Sequence, residues 1–481
     1  LQFVPSTPIA FVAIVLLLVL GARRGAWVFF ALLPFGAAAA FNLPALGGAS
    51  IIVADLAAVA MFVILILTPG AGSSLIGSVR PWQPGFFLTL VIVVSAFSAI
   101  FAPRFFAGLT EVFSIARDES RDTIVRNPLG PSAGNITQLF RLMLGYLVFI
   151  GLATAFRRAA EAGSLVVAMI VATSVHFAMG WIDVLTYAAG LDNLLEFIRT
   201  ANYTIRVTDT MAGLKRMIGG FPEASSFGFF SLGLFGFWLQ YWLSMHRSRA
   251  APWMLAMASI AVLRSTSSSA YLSLVVFLIG FAIFNFFRFL RPEAERRSVA
   301  VTVAGALLLW FAAVGATASY QMVEPVTAFF DDILFDKMES DSGVERMSWN
   351  TQALTNFRDT WGLGAGLGSV RASNWLIACL GSIGALGTAL FVAFLTAFLL
   401  SPPGPAGDAR HGSIRGAKAG VFAMLSSAVL THSTPDLGLF IFALAGAATG
   451  LSRAATGESV SGAPPRATAM ISPQCCRHKA S

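Results

Sequence analysis

Continuous apolar runs, separated by short clusters of charge, set the pattern of this chain. Runs approaching membrane-spanning length fall at 8–21, 26–41, 51–68, 86–102, 139–156, 164–181, 226–244, 252–265, 269–289, 299–317, 374–400, 417–432 and 437–452. The apolar positions are unbroken rather than alternating, which favours helices over half-buried strands. Runs of such length read as helices crossing a bilayer. The short run at 252–265 lies so close to 269–289 that the pair reads as a helical hairpin. The expected fold class is therefore all-α, a polytopic transmembrane bundle of about 12–13 spans with long loops containing short helices. Residues 1–452 form one membrane domain, and 453–481, rich in Gly, Pro, Ser and Ala, read as a disordered cytoplasmic tail.

Composition agrees with this pattern. The chain is 56% hydrophobic and only 12% charged, with a mean hydropathy of +0.75. Soluble domains carry about 25% charge, so lipid must be the solvent for much of the surface. The net charge of +8 would suit nucleic acid, but its distribution argues for a membrane instead. One set of alternate helix ends holds Arg23, Arg24, Arg80, Arg157, Arg158, Arg247, Arg249, the basic residues from Arg288 to Arg297 and from Arg410 to Lys418, and the tail: 18 Lys/Arg against 5 Asp/Glu, a net of +13. The other ends hold 14 Lys/Arg and 19 Asp/Glu, a net of −5. Basic ends stay in the cytoplasm, which places the C-terminus inside and makes the three long connections, 103–138, 182–225 and 319–373, periplasmic. Thirteen spans put the N-terminus outside; twelve would put it inside. Of the three cysteines, Cys379 sits in an apolar run as a small core residue, and Cys475 and Cys476 lie in the tail without further metal ligands.

Ionisable residues within spans are costly and so are candidates for function. Asp55, Arg141, His176, Arg264 and Asp436 all fall near the outer helix ends, none at mid-bilayer depth. The plainer alternatives are an arginine reaching for headgroups, an Asp55–Arg pair, and a His176 that only packs. In the second loop, Gly219, Gly220 and Pro222 stop any helix before the next span, and Ser225 and Ser226 can cap it. Arg216 and Glu223 then lie beside a helix N-terminus, a favourable place for an anion. In the third loop, Ser342 and Glu345 fit a capping box, so a helix should begin there with Arg346 in its first turns and a buried stripe at Met347, Ala353, Leu354 and Phe357. The run Gly362–Gly368 lacks the preceding strand of a nucleotide loop and reads as a tight turn back towards the membrane, followed by Arg371, Ser373 and Asn374.

These residues occur in an order that resembles the O-antigen ligase and O-antigen polymerase superfamily. The likeness rests on three outer loops, Arg216-x5-Pro222-Glu-Ala-Ser-Ser-Phe-Gly228, Arg264-Ser-Thr-Ser-Ser-Ser-Ala-Tyr-Leu272, Ser342-Gly-x-x-Arg346, the glycine run, and Asn374 before Gly381-Ser-Ile-Gly384. It covers most of the chain, from Asp55 to Asp436. Two positions depart from the pattern. Ser268 stands where the family often has an arginine, Arg264 being one turn earlier. Ser373 stands where ligases carry a histidine, which tilts the choice towards a polymerase.

The resemblance implies a membrane glycosyltransferase at the periplasmic face of the bacterial inner membrane, working on polyprenyl-diphosphate-linked oligosaccharides. A sugar hydroxyl attacks the anomeric carbon and the lipid diphosphate leaves. Arginine suits the developing charge because its planar fork grips two phosphate oxygens. Arg216, Arg264 and Arg346 are the expected cationic catalytic residues, with Glu223 as base. Arg371, Asn374, His176 and Arg206 are the expected substrate contacts. No cofactor and no metal is expected, nor any nucleic-acid partner; membrane lipid and other polysaccharide-assembly proteins are. The rival readings are ligase-type transfer to a lipid or other acceptor, a transporter of lipid-linked oligosaccharides, and a non-catalytic scaffold.

Overall fold

The computed structural model describes residues 1–44, 49–118, 121–211, 214–289, 305, 341–405 and 408–458. The expected span at 299–317, the first part of the third loop and the tail beyond Glu458 lie outside the described residues. Among the described residues six helices are long and apolar enough to cross a membrane: α1 (Thr7–Arg24), α5 (Pro84–Phe105), α6 (Ala133–Arg158), α7 (Ala162–Ala188), α10 (Ser268–Phe289, apolar to Asn285) and α12 (Trp375–Leu399). A seventh is possible if α3 (Val53–Ile66) and α4 (Ala71–Ser78), which bend by 118°, count as one broken span. The protein is thus an all-α polytopic bundle. Three further helices fill its interior or its flanks: α8 (Ala224–Ser244), α9 (Ala250–Arg264) and α13 (Ala409–Thr431), and α14 (Leu439–Glu458) closes the chain. That last helix runs past residue 452, so the expected tail begins as helix.

The expected span at 26–41 is not a helix throughout. Helix α2 (Ala26–Leu32) is only seven residues, about 10 Å long. Pro34 and Gly36 follow, Ala38 N closes a turn on Phe35 O (3.1 Å), and the chain then enters β2 (Ala39–Leu43). Ala37 to Ala40 are each 0% exposed, so their backbone groups need partners inside the protein. They have them. Ala37 N donates to Gly220 O (2.8 Å), Ala37 O accepts from Thr200 N and Ala201 N (3.0 Å each), and Ser6 and Thr7 hydroxyls donate to Ala39 O and Ala40 O (2.6 and 2.7 Å). A run of apolar residues cannot tell a buried helix from a buried extended segment. The strand β2 pairs with β1 (Gln2–Phe3) and β3 (Ala49–Ile52).

The first long loop also differs from expectation. It holds an antiparallel hairpin, β4 (Glu111–Asp118) with β5 (Arg121–Pro128), rather than short helices. Its base is tied to α11 (Asp341–Asp359), the helix expected from the capping box: Asn356 Nδ2 donates to Glu111 O (2.6 Å) and to Thr110 Oγ1 (2.9 Å), which in turn donates to Asp359 Oδ2 (2.6 Å).

The glycine run goes deeper than a surface turn. Helix α12 breaks at Gly384 (φ 69°, ψ −172°), about 14 Å along its axis. The run enters that break. Ala365 N donates to Gly381 O (2.7 Å), Gly366 N to Ser382 O (3.1 Å), and Ala385 N to Gly362 O (2.9 Å). Irregular backbone is tolerated at membrane depth only where protein satisfies it, and here each broken end is matched. Gly364 has φ +85°, and a Cβ there would lie 2.6 Å from Gly384 N. Gly364→Ala is therefore expected to lower stability by about 2–4 kcal/mol, from left-handed strain and overpacking together. Thermal unfolding in detergent checks this; an unchanged midpoint would show that the run gives way freely.

A candidate site at the loop-bearing end

One buried carboxylate organises the second loop. Asp183, in the last turns of α7, is 2% exposed. It accepts from Arg199 Nη2 at 2.5 Å, Lys215 Nζ at 3.5 Å, Ile218 N at 2.9 Å and Gly219 N at 3.3 Å. Arg199 also donates to Gly219 O (2.9 Å), and Lys215 to Arg216 O (2.9 Å) while lying over the Tyr187 ring. Burial pulls the Lys215 ammonium below its ordinary value, and Asp183 is the main influence opposing that. The sequence reading missed this trio. Its one signal was an acid between Ile182 and Val184 at the end of an apolar helix.

The network fixes the backbone on which Arg216 stands. Arg216 Nη1 lies 3.8 Å from Asp209 Oδ2, and Arg206 Nη1 lies 3.8 Å from the same oxygen. Two guanidinium groups thus share one carboxylate at the limit of an ion pair. The Arg216 side chain is 19% exposed, and its Nε is buried with no hydrogen-bond partner. Arg216 and Arg264 both come within electrostatic reach of Tyr271, whose hydroxyl donates to Leu263 O at 2.5 Å. Three of the expected arginines, Arg206, Arg216 and Arg264, are therefore gathered in one neighbourhood. Glu223 joins them: Arg206 N donates to the adjacent Pro222 O (2.9 Å). Glu223 is exposed and holds the N-cap position of α8, but its carboxylate accepts from the Ser225 hydroxyl instead of capping the helix.

Beside this cluster lies a second group of charges. Asp55 accepts from Ile52 N (3.0 Å) at the start of α3, and Arg141 and Asp436 both act on it electrostatically. Tyr203 feels Arg141 and Asp55 and donates its hydroxyl to Gly36 O. Among the described residues no direct ion pair joins these groups. Asp436 accepts from Gly438 N (3.0 Å), and its carbonyl takes the His432 Nε2 proton (2.7 Å).

The third loop closes against the same turn. Ala372 N donates to Ser433 O (3.4 Å) and Trp375 Nε1 to Pro435 O (3.1 Å). Arg371 stacks over Trp349, 5.0 Å from the ring centroid, and Asn350 Oδ1 accepts from Ser373 N (2.7 Å). Burial moves the Arg371 guanidinium below its ordinary value, with Glu345 acting the other way, and its Nε is buried without a partner. Arg346 is exposed on α11, with no ion pair among the described residues. Two of the expected contacts, Asn374 and His176, have structural partners. Asn374 caps α12, its Oδ1 accepting from Leu376 N (2.9 Å) and Ile377 N (3.2 Å). His176 is 1% exposed and stacks on Phe227 with ring centroids 4.0 Å apart. Ser231 donates its own proton to Phe227 O (2.8 Å), so His176 Nε2 donates to Ser231 Oγ (2.7 Å) and Nδ1 is left an unmet acceptor. Cys379 is 0% exposed, in the core as expected.

Among the described residues no group of three or more His, Cys, Asp or Glu is placed to hold a metal ion. Although the loop-bearing ends are acidic as a whole, Arg206 and Arg216 share the single Asp209 carboxylate, so two arginine forks keep donors for a multiply charged anion with the exposed Glu223 carboxylate nearby. Compared with family models and with curated proteins, the chain matches none.

Proposed function

We propose that the protein polymerises oligosaccharide repeat units carried on a polyprenyl diphosphate, at the periplasmic face of the bacterial inner membrane, as an O-antigen or exopolysaccharide polymerase. The observation that carries this reading is the gathering of Arg206, Arg216 and Arg264 with only Asp209 between the first two, while Arg216 Nε stays unsatisfied. A diphosphate leaving group supplies the missing acceptors, and arginine forks stabilise the charge it develops. In this reading Arg371 and the exposed Arg346 are the third loop's cations for the same anionic substrate. Glu223 takes the proton of the attacking sugar hydroxyl. The +13 to −5 split between the two sets of helix ends supports a periplasmic position for these loops.

The break in α12 favours a second reading, a transporter of the same lipid-linked oligosaccharide, because transporters bind cargo at broken helices. Against it, the glycine run itself takes up Gly381 O, Ser382 O and Ala385 N at the break. The test is reconstitution of the purified protein in liposomes with a polyprenyl-diphosphate oligosaccharide. A ladder of longer products with release of polyprenyl diphosphate is expected, undiminished by EDTA. Passage of unaltered oligosaccharide across the bilayer, with no lengthening, would overturn the polymerase and support the transporter.

A further inference from the structure

At the basic end of the bundle, α1 passes into α2 with only Gly25 between them. Gly25 N donates to Gly21 O (2.9 Å), and Gly21 has φ +73°. A Cβ at Gly25 would lie 2.8 Å from Gly21 O, so the turn needs a residue without one. The turn fixes Arg24 at the end of α1 and Trp27 in the first turn of α2, and α2 packs on α7, which begins just after Glu161. Between these elements lies a cleft of about 440 Å³, lined by Arg24, Trp27, Glu161, Gly163, Ser164 and Val167. That volume is within the range of small-molecule sites. The cleft is open to a ligand. Arg24 and Gly163 are exposed, Val167 is 50% exposed, and a Cβ at Gly163 would meet nothing within 4 Å.

The lining carries one cation and one anion. Arg24 has no ion-pair partner among the described residues. Glu161 Oε1 lies 3.3 Å from Arg23 Nη1, with side chains 57% and 32% exposed, a pair that solvent screens to about 0–1 kcal/mol. Its Oε2 accepts from Ser164 Oγ at 3.4 Å, and Glu161 does not cap α7 with its side chain. The carboxylate therefore keeps room for a second donor. A guanidinium fork and a carboxylate in one cleft match a ligand with a phosphate and an ammonium. The level in the membrane agrees. Two helices of spanning length meet here at their ends, and the half-buried Trp27 is of the residue type that gathers at headgroup depth. We infer that this cleft binds the ethanolamine headgroup of a phospholipid in the adjoining leaflet. Arg24 donates to the phosphate oxygens, the ammonium donates to Glu161, and the glycerol and first methylenes lie on Trp27 and Val167. A choline headgroup has no N–H to donate to Glu161, and a glycerol headgroup brings no positive charge to it. The site is independent of the sugar chemistry proposed for the other end.

Native mass spectrometry of the full-length protein in detergent, titrated with phosphatidylethanolamine, phosphatidylcholine or phosphatidylglycerol, tests it. Wild type is expected to retain phosphatidylethanolamine in preference to both others. Gly163→Phe, which fills the cleft without changing charge, and Arg24→Gln should each weaken that binding about tenfold, or about 1.4 kcal/mol. Both positions are exposed, so the midpoint of thermal unfolding should stay at the wild-type value. Glu161→Gln should erase the preference for ethanolamine over choline while leaving phosphatidylcholine binding unchanged. Arg410→Gln, also at the basic end, should alter nothing. Equal retention of ethanolamine and choline lipids by wild type would overturn the site, as would full binding by Gly163→Phe. An equal loss in Arg410→Gln would mark a general charge effect and overturn it too. Tighter binding of phosphatidylglycerol than of phosphatidylethanolamine, or a preference that survives Glu161→Gln, would overturn the ethanolamine headgroup as the ligand.

Discussion

Asp183→Ala is expected to be the most destabilising single change in the second loop, costing about 3–5 kcal/mol. The carboxylate is 2% exposed and serves four donors: Arg199, Lys215, Ile218 N and Gly219 N. Alanine removes all four bonds and leaves two cations, with side chains 3% and 4% exposed, facing each other without an anion. Asp183→Asn keeps an acceptor for one backbone N–H and should fall between wild type and alanine. The damage should spread along the chain, because Thr200, Ala201 and Gly220 hydrogen-bond Ala37 and Thr200 Oγ1 accepts from Ala39 N. Two measurements check this together: the midpoint of thermal unfolding in detergent, and trypsin cleavage after Arg206 and Arg216. Alanine should lower the first and speed the second. A variant with wild-type midpoint and protection would show that the loop is held by its apolar contacts alone.

The long apolar helices were legible because lipid leaves few choices: α5, α6, α7, α10 and α12 need continuous apolar stretches, and the sequence supplies them. What stayed hidden depended on partners distant in the chain. The Phe35–Ala40 stretch is as apolar as a helix, and its turn and strand backbone is satisfied by hydrogen bonds with Thr200, Ala201 and Gly220. The positive φ of the glycine run was readable from its composition, but its docking into a break at Gly384 was not, since Gly381-Ser-Ile-Gly384 reads as an ordinary stretch of small residues in a helix. Arg216 and Glu223 were singled out because they flank a helix entry with glycine and proline, and the structure brings Arg206 beside them. Asp183, Arg199 and Lys215 follow no spacing rule, and they meet only after the loop folds back. Asn374 opens α12 as its cap, and His176, expected one turn from a helix end, lies in the middle of α7 because that helix runs on to Ala188.

Arg216→Ala is expected to lower sugar transfer by about 100-fold or more, the scale seen when a donor to developing negative charge is removed. The proposed polymerase needs a guanidinium fixed in place with a free face. Arg216 has its backbone tied by N–H to Asp209 O (3.0 Å) and its carbonyl held by Lys215, while Nε lacks a partner. Arg216→Lys should retain a small residual rate, because a point charge replaces a two-pronged grip. The competing account is that Arg216 exists only to neutralise Asp209. That pair is 3.8 Å apart with side chains 19% and 35% exposed, a geometry worth about 0–1 kcal/mol after solvent screening. Stability in the alanine variant should accordingly change little. The double variant Arg216→Ala, Asp209→Asn separates the two accounts. If Arg216 merely balances Asp209, removing the acid restores transfer to near wild type. If it grips the diphosphate, the double variant stays as slow as Arg216→Ala, and Asp209→Asn alone keeps most of the activity because Arg206 and Arg216 remain. Polymer length and polyprenyl diphosphate release, measured at matched amounts of folded protein, read the outcome. Near-normal transfer by the Arg216→Ala single variant would remove the residue from the reaction and, with it, the cationic centre on which the polymerase reading rests.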